Sequence, residues 1–295
     1  PELVPKAPRR REIEILLHYD HYKGRLNWPS TEDPEHWTLE QIRDFQMAKI
    51  RNGARYNKPM PSERDAVLNA LETFVSVDSG RWLDVLPLTG LYTEEVAKRY
   101  PGVALTFAEM TDQVFEFVRD RSPRSLNHEL YPDAFHDGQA KFDVMSILFR
   151  LERLPREARP RNLQTMRRRI RDDGQLFLAF INGRSYHQPL RWLRARIGHA
   201  GVEYALAPDP SLGPFKAVTT GEIRADLRAS GWRVRRSQHF FVIPPPDEIE
   251  FRAGRKGRKV RIVGQALTRL SQLLRPVDPF LGAIARVHTW DVVPA

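Results

Sequence analysis

Two acidic residues stand at the ends of short apolar runs, and their spacing is typical of a site for a nucleoside ligand. Asp84 lies within the run 82–86, and Glu109 closes the run 103–108, 25 residues further along the chain. Ligands of open parallel sheets bind outside the carboxyl ends of the strands, where an acidic residue can accept hydrogen bonds from the ribose hydroxyls. The loop that follows Asp84 and ends at Gly90 is placed to contact the rest of such a ligand.

Apolar runs alternate with helical patterns from Arg81 onward, and this alternation predicts the elements that position the two acids. Strands are expected at 82–86, 103–108, 125–130, 142–149, 175–181, 232–242 and 283–293. The run 142–149 is continuously apolar, as in a strand that is buried on both faces. Strands that alternate with helices imply a parallel sheet built from right-handed crossovers.

Helix starts are predicted from residues whose side chains can cap a helix N-terminus. The predicted capping residues are Thr38, Ser62, Thr93, Thr111 and Thr220. The helix after Ser62 carries apolar residues on one face, so we expect that face to be buried. A turn is expected at Asp173-Gly174, before the strand 175–181.

The composition narrows the possible chemistry. The 295 residues include no cysteine, which excludes disulfides, thiolate zinc sites and cysteine nucleophiles. No apolar run approaches the roughly 18 residues needed to span a bilayer, and the apolar patch after the N-terminal arginines is too short for a signal peptide. We therefore expect a cytoplasmic protein.

The net charge of +10 is concentrated near the C-terminus. Between Phe251 and Arg275 there are eight Lys or Arg residues and no Asp or Glu, and a basic helix is predicted at about 258–275. Two interpretations remain open. The helix packs its apolar stripe on the sheet with its arginines in solvent, or the segment 252–275 binds RNA or an anionic lipid surface.

The loop and the elements around it resemble the class I S-adenosylmethionine-dependent methyltransferases. Asp84, Leu86, Leu88 and Gly90 stand at the positions of that family's D-x-G-x-G-x-G motif. Further resemblances, in chain order, are Tyr100-Pro101-Gly102, Glu109-Met110, Pro132-Asp133-Ala134, Phe142-Asp143-Val144, the run LERLP at 151–155, and the helix that ends at Gly231-Trp232. Together they cover residues 81–293 in the family's order.

The resemblance implies a fold, a cofactor and a set of site residues. The fold is a seven-stranded, mostly parallel α/β sheet of order 3-2-1-4-5-7-6 with helices on both faces, and the cofactor is S-adenosylmethionine. Glu109 would hold the ribose, Asp133 the adenine amine, and Asp84 with Gly90 the loop. The remaining cofactor-binding positions would be Leu86, Leu88, Met110, Ala134 and Leu148.

Leu86 and Leu88 depart from the family's motif, which has glycine at both positions. Glycine lacks a Cβ and tolerates positive φ, so the backbone can approach the cofactor closely. Two arrangements are possible. Leucine side chains that point inward would block the amino-acid end of the cofactor, whereas a loop remodelled by Pro87 would turn them into the core and leave a pocket.

Few residues suit proton transfer or metal binding. A general base is needed only for a weakly nucleophilic acceptor such as a hydroxyl, and the candidates are Glu152 and His187, each of which a surface or structural role would also explain. His18 and His21, with Asp20 between them, lack further placed ligands, so we predict no metal site.

The predicted organisation is a basic tail at 1–12, a helical extension or lid at 13–78, and a methyltransferase-like domain at 79–295 with an insertion at about 183–218. The leading hypothesis is methyl transfer to a small-molecule or glycan- or lipid-linked acceptor. The alternative is a catalytically degenerate module that binds RNA or an acidic protein partner. A third option retains the pocket for other chemistry, such as a cyclisation. The oligomeric state is left open.

Overall fold

The computed structural model describes residues 61–87, 90–120, 122–154, 158–186, 218–247, 249, 266, 268–270, 272, 273, 276 and 280–295. The predicted tail, the histidine pair near residue 20, Leu88, His187, most of the insertion and most of the basic helix lie outside these ranges. The predicted domain boundaries therefore remain predictions.

Seven strands form one sheet in the order β3-β2-β1-β4-β5-β7-β6. They are β1 (Gly80–Val85), β2 (Val103–Glu109), β3 (Asn127–Leu130), β4 (Phe142–Leu148), β5 (Ile170–Ile181), β6 (Trp232–Phe240) and β7 (Val287–Pro294). Strand β7 runs antiparallel to both neighbours, and the pairs among β1 to β5 are parallel. The predicted fold class and strand order are confirmed.

Helices cover both faces of the sheet. They are α1 (Pro61–Phe74), α2 (Leu91–Arg99), α3 (Asp112–Arg119), α4 (Asp133–Asp137), α5 (Ala158–Arg169) and α6 (Thr220–Ala229). The apolar residues of α1, α2 and α3 join one buried cluster, and those of α4, α5 and α6 join the other. None of the helices in the described part of the chain has the length and apolarity needed to cross a membrane.

Thr219 and Thr111 cap their helices, whereas Ser62 and Thr93 do not. The Thr219 hydroxyl accepts from the backbone N–H of Glu222 in a capping box, so the N-cap lies one residue before the predicted Thr220. Helix α1 begins at Pro61, a residue suited to the first helical position. Ser62 therefore lies inside the helix and does not cap it. Its backbone N–H and hydroxyl both donate to the Asp247 carboxylate.

The expected turn at Asp173-Gly174 is wrong, because β5 runs through both residues. The register between β4 and β5 shifts opposite Phe142 and Val144, so the extra residues are absorbed as an irregularity within the strand. A Cβ on Gly174 would lie 2.9 Å from the backbone oxygen of Asp143. A glycine therefore fits where the two strands approach closely.

His288 is buried within the sheet near the carboxyl end of β5. It pairs with Phe180 of β5 and with His239 of β6, and its ring stacks on Phe180 at a centroid distance of 5.3 Å. Burial, followed by the neighbouring His239, lowers the pKa of His288 to about 4. Hydrogen bonding to the backbone at Ala285 and Gly282 offsets this only in part. The folded protein therefore favours the neutral imidazole.

This burial predicts a specific pH dependence of stability. Between about pH 4 and about pH 6.5 the unfolded chain binds a proton at His288 and the folded chain does not, so acidification favours unfolding. Relative to His288→Gln, the wild-type free energy of unfolding should rise across this window by up to about 3 kcal/mol. Urea unfolding of both proteins over this pH range measures the difference.

Leu178→Ala serves as a control, because Leu178 is fully buried in β5 and carries no titratable group. Its effect on the unfolding free energy should be the same at every pH in the series. A constant gap between the wild-type protein and His288→Gln would contradict the prediction.

Candidate functional site

The candidate site lies at the carboxyl edge of the sheet, between β1 and β4. The chain builds β2 and β3 on one side of β1, and β4 and β5 on the other. The loops that leave β1 and β4 therefore diverge and open a crevice between them, which is where open α/β sheets bind ligands.

Asp84 joins three elements at this crevice. The strand register places Asp84 opposite Ser146 of β4, whose hydroxyl donates to Asp84 Oδ1 at 2.7 Å. The Thr93 hydroxyl of α2 donates to Oδ2 at 2.6 Å. Burial raises the pKa of Asp84, while these two hydroxyls and the nearby Arg150 lower it. Asp84 therefore ties β1, β4 and the start of α2 together, and Thr93 acts as its partner and not as the predicted cap.

Leu86 turns its side chain into the core. Its φ is +57°, a left-handed conformation that leucine rarely adopts. The side chain is 1% exposed and belongs to the buried cluster that contains Ala108, Tyr131 and Phe135. Of the two arrangements that the sequence leaves open, Leu86 adopts the one in which the leucine joins the core. Leu88 lies outside the described residues.

Gly90 is required both by its backbone conformation and by its surroundings. It has a φ of +66° and forms the N-cap of α2. A Cβ at this position would lie 2.7 Å and 2.8 Å from the two methyl groups of Val118 in α3. Helix α3 therefore packs directly on the end of the loop.

The end of β4 supplies two residues that the sequence analysis missed. Phe149 has a φ of +57°, like Leu86, which directly follows the neighbouring strand β1. Arg150 crosses the crevice and donates from Nε to the backbone oxygen of Leu86 at 2.8 Å. Strained backbone conformations of this kind cluster at functional sites. Nothing in the local sequence signals positive φ at Phe149 or the contact of Arg150 with Leu86, so both features could be found only in the structure.

Glu109 ends β2 with its carboxylate fully buried. Its Oε1 accepts from the backbone N–H of Met110 at 3.0 Å. Met110 is partly buried and packs against the core. A ribose would therefore contact Glu109 only after the groups that cover its carboxylate move aside.

The other predicted cofactor contacts lie at the same edge of the sheet. Asp133 and Ala134 are exposed at the start of α4, which follows β3. Leu148 is the last residue of β4 and is buried. The structure thus brings these residues to the edge on which Asp84, Gly90 and Glu109 lie.

Glu152 occupies a short 3₁₀ helix, Leu151–Arg153, directly after β4. It is almost fully buried, and its Oε1 accepts from the backbone N–H of Ile181 at 3.2 Å. The carboxylate therefore links the β4 loop to the end of β5. His187, the other candidate base, lies outside the described residues.

Tyr92 is a further candidate that the sequence analysis did not identify. Its hydroxyl oxygen is buried and has no hydrogen-bond partner among the described residues. Burial, and then the charge of Glu63, raise the pKa of Tyr92 well above its ordinary value, so the hydroxyl stays protonated. Its ring lies 6.1 Å from that of Phe149. The phenol is therefore an unused hydrogen-bond donor beside the crevice.

Comparisons with known proteins identify the architecture. No protein-family model matches the chain, and no curated protein matches it in sequence. Solved structures match its fold. A chain from the Haloferax volcanii complex of the Trm112 methyltransferase activator has a TM-score of 0.55 at 13% identity, over 85% of this chain and 98% of that one.

Two further structures agree. The Burkholderia thailandensis 1,6-didemethyltoxoflavin-N1-methyltransferase, which contains S-adenosylhomocysteine, has a TM-score of 0.54 at 13% identity, over 90% of this chain and 92% of that one. The cyclase SpnF has a TM-score of 0.50 at 15% identity, over 78% and 80%. The chain has the class I methyltransferase fold. At these identities the comparisons establish the fold alone.

Gly90→Ala should destabilise the protein by about 1–3 kcal/mol, because the left-handed backbone and the contact with Val118 both oppose a Cβ. Adding Val118→Ala should recover the steric part, so the double variant loses less than the sum of the single losses. Urea unfolding measures these free energies.

Gly221→Ala is the matched control for this series. Gly221 lies in helix α6, and a Cβ there would meet its nearest neighbour at 3.7 Å. Alanine should stabilise that helix by about 0.5–1 kcal/mol. Equal effects at Gly90 and Gly221 would contradict the steric account of the loop.

Tyr92→Phe should raise the free energy of unfolding by about 1 kcal/mol, because it removes a buried hydroxyl without a partner. Tyr100→Phe is the control, since the Tyr100 hydroxyl donates to the backbone oxygen of Val75 at 3.2 Å. That change should destabilise the protein. A loss of stability in Tyr92→Phe would show that its hydroxyl has a partner in the folded protein.

Proposed function

We propose that this protein is an S-adenosylmethionine-dependent methyltransferase that acts on a small-molecule or glycan- or lipid-linked acceptor. The fold supports the proposal, but the observation that carries it is the conformation of the loop after β1. Leu86 and Gly90, at the first and last glycine positions of the motif, both have the left-handed backbone that glycine favours. The Leu86 side chain lies in the core, so it does not fill the crevice.

The residues at the carboxyl edge suit an adenosyl group, with one adjustment. Glu109 would hold the ribose, Met110, Asp133 and Ala134 would contact the adenine, and Leu148 would flank it. The loop from Asp84 through Leu86 and Leu88 to Gly90 would face the methionine portion. When bound, the cofactor supplies an electrophilic methyl group on a sulfonium. The adjustment is that the groups that cover the Glu109 carboxylate move aside, so that the ribose can reach it.

The remaining residues would align the acceptor and exclude water. Methyl transfer requires chiefly that the two reactants are held in line. Arg150 fixes the two loops relative to one another. Tyr92 offers a donor for an acceptor oxygen, and Glu152 or His187 would serve as base if the acceptor is a hydroxyl.

A second candidate function is a degenerate module that binds RNA or an acidic partner without catalysis. The complete burial of Glu109 favours it, because a cofactor site in use needs that carboxylate within reach of the ribose. The basic segment 252–275 would supply the binding surface. Of its apolar stripe, Leu270 is 44% exposed, and the adjacent Leu273 is 76% exposed. Those exposures favour a surface position for these two leucines over packing on the sheet.

Calorimetric titration with S-adenosylhomocysteine separates the two functions. Methyltransferase function predicts 1:1 binding in the micromolar range. Glu109→Gln should weaken that binding at least tenfold, since hydrogen bonds to a charged group contribute about 1.5–3 kcal/mol. Glu116→Gln, at an exposed position on α3, should bind like the wild-type protein.

Absence of heat with the wild-type protein, together with salt-dependent binding of a short RNA, would overturn the enzymatic proposal and support the second function. Equal affinities in the wild-type protein and Glu109→Gln would remove Glu109 from the site.

A further inference from the structure

A cavity of about 650 Å³ lies on the surface of α5. His136 and Ser230 mark two sides of it. His136 lies in α4, close before β4 begins, and Ser230 follows α6, just before β6 begins. The cavity therefore lies where α4 and the end of α6 meet α5.

Three arginines converge on this cavity. Arg161, Arg167 and Arg168 line it, and Asp137 is the acidic residue among the lining. Arg167 donates to the backbone oxygen of Gly231 at 3.2 Å and lies 4.0 Å from Asp172. Within the described part of the chain, Arg161 and Arg168 form no ion pair. Two guanidinium groups therefore line the cavity without an ion-pair partner among the described residues.

The helical spacing brings neutral donors to the same place. Arg161, Gln164 and Arg168 lie three and four residues apart, so they share one face of α5. Gln164 and Thr165 also line the cavity. Arg168 donates to the Thr165 hydroxyl and to the backbone oxygen of His136, both at 3.3 Å, which orients its guanidinium along the wall.

The pKa of His136 is affected by the charges that line the cavity. Its Nδ1 lies 2.7 Å from the Thr165 hydroxyl. Burial lowers the pKa of His136, and the charges of Arg161 and Arg168 lower it further. Asp137 and Asp133 raise it but do not cancel the effect. The imidazole is thus favoured as a neutral group beside two cations.

We propose that this cavity binds the phosphate group of a phosphorylated small molecule such as a sugar phosphate. Guanidinium groups bind phosphate oxygens in a bidentate geometry. Gln164 and Ser230 add neutral donors, and the Asp137 carboxylate accepts from a hydroxyl of the ligand. The volume falls within the roughly 300–1,000 Å³ typical of small-molecule sites. The lining of this cavity shares no residue with the proposed methyl-transfer site.

Calorimetry with ribose 5-phosphate, ribose and inorganic phosphate tests the proposal on the full chain. Ribose and ribose 5-phosphate differ only in the phosphate group, and neither contains adenine. Binding of ribose 5-phosphate without binding of ribose would therefore assign the affinity to the phosphate group. Ribose 5-phosphate and phosphate should bind, and ribose should not. Combining Arg161→Gln with Arg168→Gln should weaken ribose 5-phosphate binding at least tenfold.

Arg233→Gln is the matched control. Arg233 is exposed on β6, forms no ion pair with the described residues and does not line the cavity. This variant should bind ribose 5-phosphate like the wild-type protein. All variants should keep the wild-type melting temperature within a few degrees, because Arg161 and Arg168 are exposed.

Three results with ribose 5-phosphate or phosphate would overturn the proposal. They are undiminished ribose 5-phosphate binding in the double variant, equal weakening in Arg233→Gln, and absence of phosphate binding in the wild-type protein. A short single-stranded RNA that binds far more tightly than ribose 5-phosphate, and that depends equally on Arg161, Arg168 and Arg233, would also overturn it. That result would identify a general nucleic-acid surface.

Discussion

The Asp84 carboxylate holds the crevice together. Its two oxygens accept hydroxyl hydrogen bonds from β4 and from the start of α2, so one side chain sets the spacing between the two strands that flank the crevice. The Trp82 indole extends the network by donating to Ser146 at 2.9 Å. A carboxylate in this position is costly to bury. It is tolerated because Thr93 and Ser146 donate hydrogen bonds to it and Arg150 contributes a positive charge.

The loops on either side of this anchor stabilise one another. Leu86 and Phe149 both have left-handed backbones, each of which costs about 1–3 kcal/mol. The Leu86 backbone is held by its N–H, which donates to Ala108, and by its oxygen, which accepts from Arg150. The Phe149 N–H donates to Ala179 on β5. Four neighbouring strands thus hold conformations that the residues alone would avoid.

The sheet could be predicted from the sequence because burial on both faces leaves long apolar runs, as in 142–149. The strand order came from the family resemblance, since periodicity does not encode which strands are neighbours. The site was predictable only where residue type implies position, as with Asp84, Gly90 and Glu109. Arg150 and Tyr92 were missed because their importance arises from contacts across the crevice. The Thr93 hydroxyl suits either a cap or a partner for Asp84, and only the fold brings it to Asp84.

Some arginines form ion pairs within the fold, whereas Arg161 and Arg168, which line the cavity, form none with the described residues. Arg169 is buried and forms two hydrogen bonds with Glu129, at 2.6 Å and 2.7 Å. Arg235 and Arg236 share the buried Asp291. Each of these charges offsets the desolvation of a carboxylate, so the fold accounts for it. Arg161 and Arg168 neutralise no carboxylate among the described residues and repel one another on one helix face. An anion bound in the cavity would compensate both charges.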